Sequence, residues 1–435
     1  MRFIDLTGKT GDKQRLLNSV PRAALGATEA QEQVTALINA VRLEGEKALR
    51  EQAERFDGVA GHALRVPESE ITAALDSLDP ALRDALKTMV ERVHAASLAQ
   101  IPAAQTVNFG TGAEVSLRWQ PVSRVGLYVP GGKAVYPSSV IMNAVPAKAA
   151  KVESLVICSP VQPENGSVHP TILAAAALCG VDEVYAIGGA GAIAAMAYGV
   201  PDIGLESVDV ITGPGNIFVA AAKRAVNGVV GIDSEAGTTE IMVLADSTSE
   251  ARFVAADLLS QAEHDEAAAS VLVTDSQEFA AACAAELQQQ LAITEHRERA
   301  TRALEGPQSG VILVRDRQEM IAVADAYAAE HLSIQTADAE ALASEISNAG
   351  AIFIGPYAPV SLGDYMAGSN HVLPTGGTAR FNSGLGAHTF LRPQQVINYS
   401  KAGLQHVLDP LLTMSDAEGL PAHGAAAAVR FGGTS

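Results

Sequence analysis

The chain has 435 residues, of which 48% are hydrophobic and 18% charged, and it carries a formal net charge of −19. That length exceeds one ordinary core of roughly 100 to 200 residues and predicts two large units with smaller accessories. So acidic a surface repels phosphate backbones and anionic headgroups, and no basic patch offsets it, which argues against nucleic acid and membrane surfaces as partners.

The start, MRFIDLTGKTGDK, lacks an apolar core of signal-peptide length, and no run of about 18 apolar residues follows, so the chain reads as cytoplasmic. The first hundred residues read as helices. One begins at the capping box Thr28 to Gln31 and stops near Asp57-Gly58, and ERVHAASLAQ belongs to another. From about residue 105, TVNFGTGAEVSLRWQPVSRVGLYVPGG alternates around a Gly-Thr-Gly turn and predicts a β-hairpin leading into a Gly-rich loop.

Two βα series follow. The first carries the strands SLVICSP, EVYAIGG and VDVITGPG; the second carries TEIMVLAD, ASVLVTDS, GVILVRD and AIFIGPY. Short apolar strands alternating with helices predict parallel sheets covered on both faces, hence an α/β protein with two Rossmann-like units. Beyond about residue 384 the strand pattern stops, and a mainly helical tail remains that is too small to hold a core alone.

Within the first series, GAGAIA (189–194) follows a strand and opens a helix, matching the G-x-G-x-x-A turn that admits a pyrophosphate. Glu206 and Asp209 lie at a plausible spacing for a ribose-binding acid. Close helix packing explains such glycines equally well. The loops YVPGGKAVYP and TGPGN, also at strand ends, strengthen the ligand-binding reading. Cys158, Cys179 and Cys283 show no C-x-x-C spacing and read as small buried hydrophobes.

The polar interruptions carry the chemistry. The amphipathic run ARFVAADLL ends in SQAEHD, where Gln261 and His264, three apart, would share one helical face and could offer an oxygen and a nitrogen to one ion. Further islands hold Glu330 and His331, then Asp364 and His371 around a Gly-rich turn, then Glu418 and His423 near a tail-helix start. Any one of these is ordinarily a solvated helix end or a satisfied histidine. As a set, one Gln, one Asp and two His suit zinc, or manganese or cobalt, and an adjacent Glu-His pair can divide proton work.

The ordered motifs GLYVPGG, GPGN, SQAEHD, AEHL, SLGDY, GSNHVLPT and LPAH resemble the histidinol dehydrogenase family over nearly the whole chain. The resemblance implies oxidation of L-histidinol through L-histidinal to L-histidine, the end of histidine biosynthesis, with NAD+ and one Zn2+ per site in an intertwined homodimer. It implies Gln261, His264, Asp364 and His423 as zinc ligands, and His331 and Glu330 as acid-base residues. Substrate contacts fall to Thr239, Gln261, His264, His331, Asp364, His371, Glu418 and His423. Tyr128, Gly191 and Asn216 match NAD-contacting positions, but Gly191 stands where the family usually has Gln, which takes most of the weight off the G-x-G-x-x-A match.

The expected partition is an N-terminal arm (1–22) that forms an accessory domain with the hairpin 105–128, and a larger α/β domain (23–104 plus 238–384) bearing the metal and acid-base residues. An NAD-binding domain (129–237) and a tail (385–435) reaching the partner subunit complete it. A related zinc- and NAD-dependent enzyme acting on another polar alcohol, a zinc hydrolase and a non-catalytic nucleotide-binding protein are the competing readings.

Overall fold

The computed structural model describes residues 1–22, 27–131, 135–235 and 237–432, apart from the side chains of 13 and 27–29. Its strands are β1 (Arg2–Asp5), β2 (Gln105–Asn108), β3 (Ala113–Pro121), β4 (Arg124–Tyr128), β5 (Ser154–Ser159), β6 (Val184–Ala186), β7 (Val210–Thr212) and β8 (Gly231–Ile232). Then come β9 (Glu240–Ala245), β10 (Ala269–Thr274), β11 (Gly310–Leu313), β12 (His331–Ile334), β13 (Ala351–Ile354) and β14 (Leu391–Tyr399).

Two sheets are wholly parallel, as the unbroken apolar runs required: β9 and β10 are buried at every residue because helices cover both faces. The first sheet has the order β6-β5-β4-β7-β8 and the second β1-β11-β10-β9-β12-β13. Both follow one path. The chain enters at a central strand, β4 or β9, winds outward through two more, then crosses back to the other side at β7 or β12. Each sheet therefore has a topological switch point, where the winding direction reverses, between β4 and β7 and between β9 and β12.

Strand pairing moves several expected boundaries. Instead of joining the hairpin, β1 pairs with β11 at the edge of the second sheet. The hairpin loses β4, which becomes the central strand of the first sheet. The helical segment 27–99 was assigned to the larger domain, yet Val34, Ile38, Val41 and Leu49 share one core with Tyr185, Ile193 and Val226 beside the first sheet. Nor is the first helix continuous. Gly45, at φ 55 and ψ −125, separates Ala27–Glu44 from Glu46–Gln52, and a π-type turn, Ala53–Asp57, closes on Gly58 at φ 70. The start of this helix is described, but the side chain of the proposed cap Thr28 lies outside the described residues.

Contacts divide the chain into a unit formed by Met1–Gln100 and Ser123–Phe390 and a second formed by Ile101–Val122 and the residues from Leu391 onward. The second unit contains an antiparallel sheet, β14-β3-β2, and the helices Lys401–His406, Leu408–Ala417 and Pro421–Ala428. The tail thus contains a nine-residue strand where none was expected. Only its first residue is buried, so β14 has no in-out alternation to betray it, and pairing with β3 alone makes it a strand.

Behind the second sheet, buried Asp257 on the helix Ala251–Ala262 accepts a 2.8 Å hydrogen bond from Gln335 Nε2. Burial pushes its carboxyl up to about 6 from 3.8. Between those values the folded chain binds more protons than the unfolded one, so this group lowers stability as pH rises through that window. Asp257→Asn is accordingly expected to stabilise the protein by about 2 to 3 kcal/mol at pH 8 and by little at pH 4. Urea denaturation at both pH values checks this, and equal gains at both would contradict it.

Candidate active site

The site begins at the switch point of the second sheet. The helix Arg317–Tyr327 ends at Ala328, whose φ of 51 is left-handed, and the chain then delivers Glu330 and His331 at the amino end of β12. Next to β12 lies β9, so Thr239 and Glu240 stand beside the pair. Glu330 Oε2 accepts from Thr239 Oγ1 at 2.6 Å and from the Glu240 amide at 2.8 Å. Thr239 Oγ1 in turn accepts from Gln261 Nε2 at 2.6 Å. Burial pushes the Glu330 carboxyl up to about 7, against the pull of those two hydrogen bonds.

His331 is buried too. Its Nδ1 lies 3.2 Å from the Glu240 carbonyl, which can only accept, so Nδ1 carries the proton and Nε2 is left as a bare acceptor. No partner reaches that Nε2 among the described residues. Burial lowers the imidazole pKa and keeps the ring neutral.

Gln261 sits in the last turn of the helix Ala251–Ala262, but His264 does not continue it: Glu263 caps the helix, and the His264 amide turns back to the Gln261 carbonyl at 3.3 Å. The expected shared helical face is therefore a helix end plus a turn. His264 Nδ1 bonds the Ser260 carbonyl at 3.0 Å, which fixes the ring and frees Nε2, the arrangement that metal-binding histidines use. Asp364, on the helix Val360–Tyr365, is partly buried; burial raises its pKa, and His331 and His264 nearby pull it down. His371 Nδ1 lies 3.3 Å from the Asp364 carbonyl and its Nε2 3.4 Å from Ser139 Oγ, and burial pushes its pKa down to about 4.

The fold thus gathers Thr239, Gln261, His264, Glu330, His331, Asp364 and His371 in the first unit. Glu418 and His423 belong to the second, the one capping the helix Leu408–Ala417 and the other on the first turn of Pro421–Ala428, both exposed. Among the described residues, no three His, Cys, Asp or Glu side chains converge to hold a metal by themselves.

The Gly-rich loops lie at the opposite, carboxyl edge of the first sheet. Tyr128 ends β4, and its hydroxyl accepts from the Gly189 amide at 3.2 Å. Gly213, at φ 119, tolerates no side chain, since a Cβ there would stand 2.0 Å from the Tyr128 carbonyl oxygen. Asp233 accepts from the Gly213 amide at 2.9 Å, Lys223 donates to the Gly213 carbonyl at 3.1 Å, and the two charges pair in the interior beneath the loop. Asn216 Oδ1 caps the helix Ile217–Val226, accepting from the Phe218 and Val219 amides at 3.0 and 3.2 Å. The residues 132–134 of the first loop lie outside the described residues.

One expectation fails at this sheet. Asp209 Oδ2 accepts from the Ser123 and Arg124 amides at 2.8 and 3.0 Å, and Glu206 acts on Arg124, so both acids sit at the amino edge, away from the loops. Gly191 offers no side chain, and a Cβ there would come within 2.7 Å of Gln52 Oε1, which already fills that space. Sequence reasoning passed over Gln52, Ser139 and Glu240; the last acts through its backbone, which no residue-type pattern can reveal. The three cysteines are buried, with thiol pKa values raised by burial, as expected of packing residues. His388 bonds Ser383 Oγ at 3.0 Å.

Paired doubly wound sheets, a buried Glu-His pair with one bare imidazole nitrogen, and metal-type donors beside it define an acid-base enzyme of the α/β class. The histidinol dehydrogenase family model matches residues 20–431. Histidinol dehydrogenase of Leifsonia xyli subsp. xyli is 58% identical, with 99% of each chain covered. That of Nocardia farcinica is 54% identical over 98% of this chain and 97% of its own. A crystal structure of histidinol dehydrogenase from Elizabethkingia anophelis superposes with a TM-score of 0.93 at 32% identity, covering 99% of this chain and 98% of that one. This chain belongs to the histidinol dehydrogenase family.

Proposed function

We propose that the chain catalyses the NAD-dependent, two-step oxidation of L-histidinol through L-histidinal to L-histidine, at a zinc site completed by a second subunit. The observation that carries this reading is His331 Nε2: a buried base, unpartnered among the described residues, beside a buried carboxyl and at donors suited to a metal.

The donors fit zinc. Gln261 spends its Nε2 on Thr239 and keeps its oxygen, His264 keeps Nε2, and Asp364 is a desolvated carboxylate with no cation of its own among the described residues. A fourth ligand completes a tetrahedral set, and His423 of the tail is the candidate; exchange of tails between two copies would bring it, with Glu418, to the neighbouring site. The loops around Tyr128, Gly213 and Asn216 fit NAD, because they hold glycine backbone at the carboxyl ends of parallel strands. When bound, zinc supplies an anchor for the substrate's nitrogens and NAD an acceptor for hydride in each oxidation.

The chain's own residues then handle protons and position. His331 Nε2 takes the alcohol proton as the carbinol carbon is oxidised, and the Glu240 carbonyl stabilises the imidazolium through Nδ1. For the second oxidation, Glu330 accepts a proton from the water that adds to the aldehyde. A pKa near 7 lets it both take and return that proton at working pH. Thr239 and Gln261 hold the carboxylate in one orientation, and His371, neutral at that pH, can donate or accept without adding charge. No helix among the described residues is long and apolar enough to cross a membrane.

With zinc-loaded protein, L-histidinol and NAD+ should yield two NADH per L-histidine, abolished by a chelator and restored by zinc. No NADH from histidinol would overturn the assignment and direct the search to other alcohols or to hydrolysis. His331→Asn should keep zinc and bind histidinol yet lose about 10² to 10⁴ in turnover; unchanged turnover removes the base from that role. Mixing the inactive variants His264→Ala and His423→Ala should restore part of the activity through hybrid dimers. Absence of recovery after verified subunit exchange argues against shared sites.

A further inference from the structure

The first sheet lacks the ribose-binding acid expected of it, since Asp209 and Glu206 serve the amino edge. Another acid stands at the loop edge. His62 Nε2 lies 3.0 Å from the carbonyl of Ala186, the last residue of β6, and Arg65 bridges Tyr185 in antiparallel fashion, so the segment leading into them starts beyond the carboxyl end of that strand. The preceding turn places Asp57 near enough to Tyr128, the last residue of β4, for its charge to add to burial in raising the pKa of the Tyr128 hydroxyl.

Three features set Asp57 apart. It closes the single π-type turn among the described residues, Ala53–Asp57, which ends its helix on the left-handed Gly58, and π-type turns recur at functional sites. It is half-buried, and among the described residues neither a hydrogen bond nor a cation offsets that burial, which pushes its carboxyl up to about 6. Its turn is also seated on the loop helix: Gln52, the residue before the turn, donates to the Leu37 carbonyl at 3.2 Å and sets its carboxamide oxygen where a side chain at Gly191 would project. The glycine in the G-x-G-x-x-A stretch thereby admits Gln52.

We propose that Asp57, presented by this turn and braced through Gln52 against Gly191, accepts the hydroxyl pair of a dinucleotide ribose and selects the unphosphorylated cofactor over its 2′-phosphorylated form. The inference rests on the reading that the enzyme uses NAD. Two hydroxyl donors supply the charge-assisted hydrogen bonds that the carboxylate lacks. A 2′-phosphate would instead set like charges together in a partly desolvated place, a repulsive element that discriminates more sharply than a lost attraction.

Steady-state rates with NAD+ and NADP+ test it on the full-length, zinc-loaded protein. For Asp57→Asn, the KM for NAD+ should rise about tenfold or more, equivalent to roughly 1.4 kcal/mol, and the NAD+ over NADP+ preference in kcat/KM should fall at least tenfold. The KM for the alcohol should stay put. Without cofactor, the variant's thermal midpoint at pH 8 should equal or exceed that of the parent, because a buried charge has been removed; a merely structural Asp57 would lower it. An unchanged cofactor preference overturns the proposal. Asp57→Glu is the second variant, expected to weaken NAD+ while still rejecting NADP+, and an unaltered KM for NAD+ there also overturns it. If the parent makes no NADH from histidinol, the functional reading falls by itself; calorimetric titration of NAD+ into parent and Asp57→Asn then decides this point, equal affinities counting against it.

Discussion

A carboxyl group buried at the amino ends of two paired strands, β9 and β12, is the constraint around which the active-site region is arranged. Glu330 sits near Glu240, a second buried carboxyl; burial pushes both up to about 7, and the charge of Glu330 adds to the cost of ionising Glu240. Such a group is tolerated in the interior only if its lone pairs are met. Thr239, the Glu240 amide and, one bond further out, Gln261 meet those of Glu330, while Arg22 stands 3.5 Å from Glu240 Oε1. Thr239 and the Glu240 amide come from the start of β9 and Gln261 from the helix Ala251–Ala262, so satisfying one carboxyl draws β9, β12 and that helix into fixed relation. The same geometry leaves His331 Nε2 without a partner among the described residues, which is the chemical asset of the site.

The two parallel sheets share a winding order but present opposite edges. In the first, the Gly-rich loops occupy the carboxyl ends of the strands, the usual ligand edge of such folds. In the second, Glu330 and His331 lead into β12 from its amino end. One topology used twice therefore supplies two different kinds of surface. The helix Pro137–Ala149 ties them together: its Ser139 reaches His371, and the Met142 carbonyl accepts from Asn370 Nδ2 at 2.6 Å. The buried Lys223 and Asp233 pair beneath Gly213 stiffens the loop on the other side, holding its glycine backbone from within the interior.

Much of this was legible in the residues. The apolar runs announced the parallel strands, and the polar islands at Gln261, Glu330, Asp364 and His423 were conspicuous because they interrupt such runs. What misled was pairing. The strand β14 carries no burial alternation and looked like coil; RVGLY looked like the end of a hairpin and became a central strand; the N-terminal strand left for the far edge of the second sheet. Hydrogen bonding between distant segments decides such cases, and a local pattern contains no term for it. Asp209 had the right spacing for a ribose acid and the wrong end of the strand, because spacing does not say which edge a loop will occupy.

By itself, then, the sequence determined the α/β class, the sites of chemical potential and, through its ordered motifs, the family. These depend on residue type and on spacing along the chain, which are complete in one dimension. The tertiary structure decided which nitrogen of His331 is bare, why Glu330 titrates near neutrality, what fills the space at Gly191 and which acid stands beside Tyr128. All four depend on burial and on partners remote in sequence, and desolvation exists only once the chain has closed around the group.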